Sequence, residues 1–402
     1  MKLRILLCLL IFANNNLSFS QGTWVNVSNY GNGNVEFTYS FSNGNTGFVG
    51  GGRVNGVYRN DLWEYDENTD IWTQKANLPS TPRAGSFTFS FGNDAYVGTG
   101  KSSTNYLSDF WKYDMITNVW QQKSNFPGAS RYASIGFSIT NLGYACAGYN
   151  GVYLADFWEY NPNSDSWTQK PAFPGGSRVH PAGFGLDGFG YVGMGYNSGT
   201  TFDDIWQYNP TTNSWLQKSD FAGGGWRGVV SVCFDHHAYI ISGYDDVSYL
   251  TELWEYSPLT DQWNSISNFT GPGRYSAFGF ELNNCIFLGT GSNNGVAAPV
   301  ELNDVWKYCL TTGISEIQAN NAPLVLPNPN NGNFAIGTAE IFKGPIQFKL
   351  YSTTGSLLLL KQLFPGEKSV NISLPENYSG VYFYRIEDEE GKFDSGKLII
   401  VK

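Results

Sequence analysis

The chain has 402 residues, with 47 glycines, 13 tryptophans, 25 tyrosines and 28 phenylalanines, and only 14% charged residues. Glycine and aromatics with few charges describe strands and tight turns, which excludes a helical bundle or coiled coil. A net charge of −10 without any basic run excludes the electrostatic footprint that nucleic acid requires, and 41% hydrophobic residues exclude a disordered chain.

At the N-terminus, Lys2 and Arg4 precede an apolar run from Ile5 to Ala13, followed by polar residues ending in Ser18, Phe19 and Ser20. That is the pattern of a signal peptide over residues 1–20, cleaved before Gln21. No other segment reaches the ~20 apolar residues of a membrane helix, so a secreted or cell-surface protein without a membrane span is expected. Beyond the leader, Cys146, Cys233, Cys285 and Cys309 are too few for a disulfide scaffold and lack metal-ligand spacing.

The tryptophans then act as a ruler. Asp61-Leu-Trp63-Glu-Tyr65 with Trp72 recurs around Trp111 and Trp120, Trp158 and Trp167, Trp206 and Trp215, and Trp254 and Trp263, the two indoles always nine positions apart. A sixth copy, Asp304-Val-Trp306-Lys-Tyr308, has no second tryptophan. Successive first tryptophans are 48, 47, 48, 48 and 52 residues apart, a period that signifies stacked supersecondary units. The missing indole is Trp24, so the N-terminal strand is expected to complete the sixth unit and close a ring without open edges. Each unit reads as four strands, for example Arg83 to Phe91, Ala95 to Gly100, Asp109 to Tyr113 and a strand around Trp120. The expectation is an all-β, six-bladed propeller over residues 21–310 with tryptophans packing the blades.

With glycines ending the second strand, Trp-x-Tyr in the third, Trp in the fourth and an arginine opening the next unit, residues 22–310 resemble the kelch repeat, as in the central domain of galactose oxidase. The first unit departs from the pattern, because Tyr30 to Phe41 holds no arginine.

After a polar linker, 311–324, residues 325–402 hold six or seven short alternating strands, consistent with a small immunoglobulin-like β-sandwich. Pro327-Asn-Pro329 with Gly332 and Phe334, a strand at Tyr351 to Leu358 turning at Gly355, and Gly380-Val-Tyr382 before a lysine-ended strand resemble the C-terminal sorting domain of type IX secretion. This resemblance implies export across both membranes of a Gram-negative bacterium, with the type IX machinery as partner and removal of the domain at the surface.

In an up-and-down meander, the start of the first strand and the end of the second share one face. That face is expected to carry Arg83, Arg131, Arg178, Arg227 and Arg274 as a cationic ring. Beside them stand His180, Trp226, Tyr132 and Tyr275, with Tyr149, Tyr196 and Tyr244 in the loops after Gly148, Gly195 and Gly243. In kelch propellers that bind acidic peptides, arginines at this motif position line the pocket, so the resemblance makes these residues ligand-binding candidates. Each arginine could instead serve the architecture by bonding neighbouring carbonyls or a carboxylate such as Asp109 or Asp156. Arginine beside aromatics also suits carboxylated sugars. A secreted protein- or glycan-binding module is therefore expected, with an acidic peptide or glycan as ligand and no cofactor or metal. A sialic acid epimerase-like enzyme using the same face is the alternative, with His180 as its proton-transfer candidate. The copper radical oxidase of the family needs two converging histidines, and His236 and His237 fall in a turn at the opposite face from His180.

If Thr290 faces Asp304 across antiparallel strands, the same register sets Cys285 opposite Cys309, so a cross-strand disulfide is expected there in an oxidising compartment. Cys146 and Cys233, two units apart, read as buried single thiols.

Overall fold

The computed structural model describes residues 22–294 and 299–310, and after them 324–326, 332–337, 346–352, 357–363, 369–375, 378–388 and 393–400. The expected signal peptide, most of the linker, Pro327 to Pro329 and Gly355 lie outside the described residues. Two compact units meet between Thr311 and Thr312.

The first unit is a propeller of six four-stranded antiparallel sheets. Blades one to six begin their first strands at Tyr39, Phe87, Ile135, Ala182, Val230 and Phe278. Blade two shows the plan, with Phe87–Phe91, Asp94–Gly98, Phe110–Asp114 and Val119–Lys123 in meander order. In blade six the outer strand is Trp24–Val27, paired with Val305–Cys309 so that Trp24 lies opposite Tyr308. Trp72 lies opposite Tyr65 in the same way, so Trp24 fills the place of a second tryptophan.

The repeated aromatics hold the blades through both their rings and their polar tips. The motif tyrosines Tyr65, Tyr113, Tyr160, Tyr208, Tyr256 and Tyr308 are fully buried. Five of them donate to an Asp or Asn in the outer turn, for example Tyr113 to Asn118 at 2.8 Å and Tyr160 to Asp165 at 2.7 Å. The second tryptophans reach the preceding blade: Trp120 Nε1 donates to the Ala76 carbonyl at 2.8 Å, and Trp72, Trp167, Trp215 and Trp263 make the equivalent bond. A buried indole N–H needs a partner, and here the partner is a carbonyl just after the outer strand of the preceding blade.

First strands start later than the sequence suggests: blade two begins at Phe87 and not at Arg83, because Gly85 adopts a left-handed φ of 66°. The break recurs in every blade. Phe37, Gly85, Ala133, His180, Gly228 and Ser276 all have φ between 51° and 66°. Each amide donates to the carbonyl of its counterpart in the preceding blade, and Phe37 donates to Ser276. The six bonds, 2.8–3.2 Å long, close a ring.

Cys285 lies opposite Cys309 in the register of blade six, and the two are joined by a disulfide. The bond ties the strand that receives Trp24–Val27 to its inner neighbour. Cys146 and Cys233 are free; Cys146 is fully buried and Cys233 partly so.

The second unit is a sandwich. Leu324–Leu326, Asn333–Gly337 and Ser369–Ser373 form one sheet, and Leu357–Leu363, Ile346–Tyr351, Gly380–Asp388 and Phe393–Ile400 the other. Phe334, Ile336, Phe348, Leu350, Ile372, Ile386, Leu398 and Ile400 make its core. Among the described residues no helix is long and apolar enough to cross a membrane.

The disulfide closes a loop of sequence separation 24, for which denatured-chain entropy predicts about 3 kcal/mol of stabilisation. The Cys285→Ser/Cys309→Ser protein should unfold in urea with a stability lower by about that amount, and an unchanged midpoint would contradict this.

Candidate functional site

Four of the five arginines expected on the ligand face are buried and committed to the architecture. Arg83, Arg131, Arg178 and Arg274 have at most 1% of their surface exposed. Arg131 shows why: Nη1 donates to Asp156 Oδ1 at 2.5 Å and to the Ala147 carbonyl at 2.9 Å, while Nη2 donates to Asp156 Oδ2 at 2.6 Å. The same aspartate accepts Trp158 Nε1 at 2.7 Å. Asp109 and Asp204 hold Arg83 and Arg178 with both oxygens in the same manner, Asp304 holds Arg274 through Oδ2, and each also accepts from the motif tryptophan. Burial alone would raise these carboxyls, but the hydrogen bonds and charge of the arginines outweigh it, leaving Asp109, Asp156 and Asp304 below the usual range. The fork geometry of guanidinium suits a bidentate carboxylate, and nothing in this clamp remains for a ligand.

Blade five corrects the sequence reading further. The amides of Gly52, Gly100, Gly148 and Gly243 donate to the carbonyls of Arg83, Arg131, Arg178 and Arg274, and Gly195 donates to Trp226. Trp226, not Arg227, therefore occupies the repeat-arginine place, where it is 3% exposed and packs edge-on against Phe221. It is a core residue and no ligand contact. In blade one the place belongs to Val35, which accepts from Gly291.

That one-residue offset puts Arg227 in a different ring of positions. Glu36, Ala84, Tyr132, Val179, Arg227 and Tyr275 each form a β-bridge to the residue after Gly52, Gly100, Gly148, Gly195, Gly243 or Gly291, namely Arg53, Lys101, Tyr149, Tyr196, Tyr244 and Ser292. These twelve residues frame the mouth of the propeller axis. The Arg227 guanidinium sits 4.1 Å from the Tyr196 ring centroid and 5.3 Å from that of Tyr244. Nη2 pairs with Asp246 at 2.6 Å, but the buried Nε has no hydrogen-bond partner among the described residues.

Beside Arg227 lies a cavity of about 200 Å³ lined by Phe37, Tyr132, Tyr149, Tyr153, Val179, His180, Tyr196 and Tyr275. Of the expected candidates, Tyr132, Tyr149, Tyr196, Tyr275, His180 and Arg227 converge here, and Tyr244 supports Arg227 from behind. His180, whose backbone belongs to the axial ring, forms part of the wall. Its imidazole contacts the rings of Phe37, Tyr132 and Tyr275 at centroid distances of 5.2–5.9 Å. Burial, together with Arg227 and Arg53, lowers its pKa to about 3. It is therefore neutral at physiological pH and too weakly basic for the proton-transfer role. Among the described residues no group of three or more His, Cys, Asp or Glu is placed to hold a metal ion.

Sequence reasoning missed Phe37, Arg53, Tyr58, Lys101, Tyr153 and Val179. For Arg53 and Lys101 the position after Gly52 and Gly100 was the available signal, since the same position after Gly148, Gly195 and Gly243 supplied Tyr149, Tyr196 and Tyr244.

Comparison with known proteins agrees with this architecture. Residues 14–185 match the KLHDC2/KLHL20/DRC7 Kelch-repeats domain, residues 225–270 the Kelch motif, and residues 324–402 the Secretion system C-terminal sorting domain. The chain is a kelch-repeat propeller with a type IX sorting domain. A solved structure titled "Structure of YjhT" is similar in fold to the kelch protein, with a TM-score of 0.58 at 15% identity, covering 69% of this chain and 95% of that one. No curated protein matches the chain.

Removing one partner of a buried ion pair typically costs about 3–5 kcal/mol. Arg131→Ala should lose about that much in chemical denaturation, whereas Arg227→Ala should stay within about 1 kcal/mol of wild type. Equal losses would refute the division between clamp and mouth. For His180, the folded-state pKa lies below the unfolded value near 6.5, so the unfolded chain takes up the proton first. Stability should fall as pH drops from about 6.5 towards 4, and His180→Asn, which tolerates the left-handed backbone, should flatten the profile across that window.

Proposed function

We propose that this protein is an exported binding module for acidic glycans, carried by the type IX machinery and displayed or released outside a Gram-negative cell. The leader pattern at residues 1–20 and the sorting domain at 324–402 support passage across both membranes.

The glycan reading rests chiefly on Arg227. Its guanidinium, a planar donor, lies 4.1 Å from the Tyr196 ring centroid and 5.3 Å from that of Tyr244, is anchored through Nη2 by Asp246, and lines the aromatic cavity. A carboxylate is the natural acceptor for that donor. The walls offer ring faces and phenol hydroxyls, which suit a pyranose presenting C–H bonds on one face and hydroxyls at its edge.

Calorimetric titration of the full chain with galacturonic acid oligomers tests the reading. Wild type should bind, while Arg227→Ala and Tyr196→Ala, with unchanged melting temperatures, should lose at least about tenfold in affinity, the value of one charged hydrogen bond. Absence of uronate binding alongside Arg227-dependent binding of a polyglutamate peptide would contradict it.

A further inference from the structure

The mouth is not uniform around the axis, and its other side carries a feature that the Arg227 cavity does not use. In blades one and two the framing pairs are Glu36 with Arg53 and Ala84 with Lys101. Where other blades place a tyrosine, a valine or an arginine, Ala84 leaves room. A second hollow of about 60 Å³ lies there, between Phe37, Arg53, Tyr58, Ala84, Lys101 and Tyr132.

The charges in this hollow are unequally satisfied. Arg53 lies over Phe37 at 5.0 Å and is paired through Nε with Glu36 Oε1 at 2.9 Å. The other oxygen of Glu36 accepts from Ser292 Oγ at 2.8 Å, so that carboxylate is fully engaged. Lys101 is half-buried and rests on two stacked rings, its Nζ 5.6 Å from the centroid of Tyr106 and 5.8 Å from that of Tyr132. It makes no ion pair among the described residues. A partly desolvated ammonium held on aromatic faces, without a counter-charge, is placed to receive an anion.

Size adds an independent argument. Pockets that enclose a whole small ligand measure roughly 300–1,000 Å³, and both hollows here fall below that range. They share Phe37 and Tyr132 as a common wall. A chain lying across those two rings would enter both.

We propose that Lys101 and Arg53, with Tyr58, Tyr106 and Tyr132, form a second anion subsite, and that the ligand is an acidic oligosaccharide of at least two sugars with carboxylates along its length. The proposal rests on the glycan reading above and extends it from one sugar to a spanning chain. Arg227 holds one carboxylate, the shared aromatic wall supports the linkage, and Lys101 holds the next carboxylate.

Titration of the full chain with galacturonic acid and its dimer, trimer and tetramer separates the two ideas. In wild type the affinity should rise by about tenfold or more between the monomer and the dimer or trimer, the value of an added charged contact. Lys101→Met, which keeps the aliphatic stem on the tyrosines, should remove that gain and leave monomer affinity unchanged, and Lys101→Arg should restore it. Arg227→Ala should weaken monomer and oligomer alike. Equal affinities for monomer and oligomer, or oligomer binding unaffected by Lys101→Met, would overturn the second subsite while Arg227-dependent monomer binding still stood. Failure of every uronate to bind would overturn both.

Discussion

The structure depends on a ring of six backbone hydrogen bonds at the propeller axis, running through Phe37, Gly85, Ala133, His180, Gly228 and Ser276. Phe37, Ala133, His180 and Ser276 pay a conformational cost for their left-handed backbone, which Gly85 and Gly228 avoid. In return, the first strand starts two residues later and the residue before the break turns towards the mouth. Because every blade donates to one neighbour and accepts from the other, the ring closes only when the sixth blade meets the first. Trp24–Val27 completes that sixth blade and the Cys285–Cys309 disulfide braces it.

Outside this ring, the sequence divides its arginines by a single residue of register. At the repeat position the side chain points into the blade and finds an aspartate, a carbonyl and a phenylalanine, as Arg131 does with Asp156, Ala147 and Phe126. One position later the residue faces the axis. Blade five inverts the order, with Trp226 inside and Arg227 at the mouth, and Glu252 stands where other blades have aspartate. The Trp254 indole N–H is accordingly left without its usual acceptor. Local packing is irregular where the half-buried cation at the mouth is gained, as happens where a repeat departs from its pattern at a functional site.

The blade architecture was legible because it rests on large residues at fixed spacing. Tryptophans nine apart, a period near 48 and the orphan Trp24 gave the strands, the count and the closure, and the same arithmetic aligned Cys285 with Cys309. The mouth was harder to read. A period of 48 from Arg178 falls on Trp226, yet charge drew attention to Arg227 and set it in one ring with the other four arginines. Lys101 and Arg53 are visible as residues following Gly100 and Gly52, but nothing in a linear chain shows that Glu36 satisfies one and leaves the other unpaired. Such distinctions arise from which side chains meet across the axis, between residues separated by tens to hundreds of positions.

Aromatic walls, a fixed guanidinium and a closed backbone ring make the mouth a pre-organised site, so ligand entry should not require the blades to move. A crystal structure of the full chain with bound tetragalacturonate tests this account most directly. It should show one carboxylate at the Arg227 guanidinium, a sugar over the Phe37–Tyr132 wall, and the six axial hydrogen bonds intact with backbone shifts below about 1 Å. Sugar bound at the opposite face, or a complex in which the axial ring has opened, would contradict it.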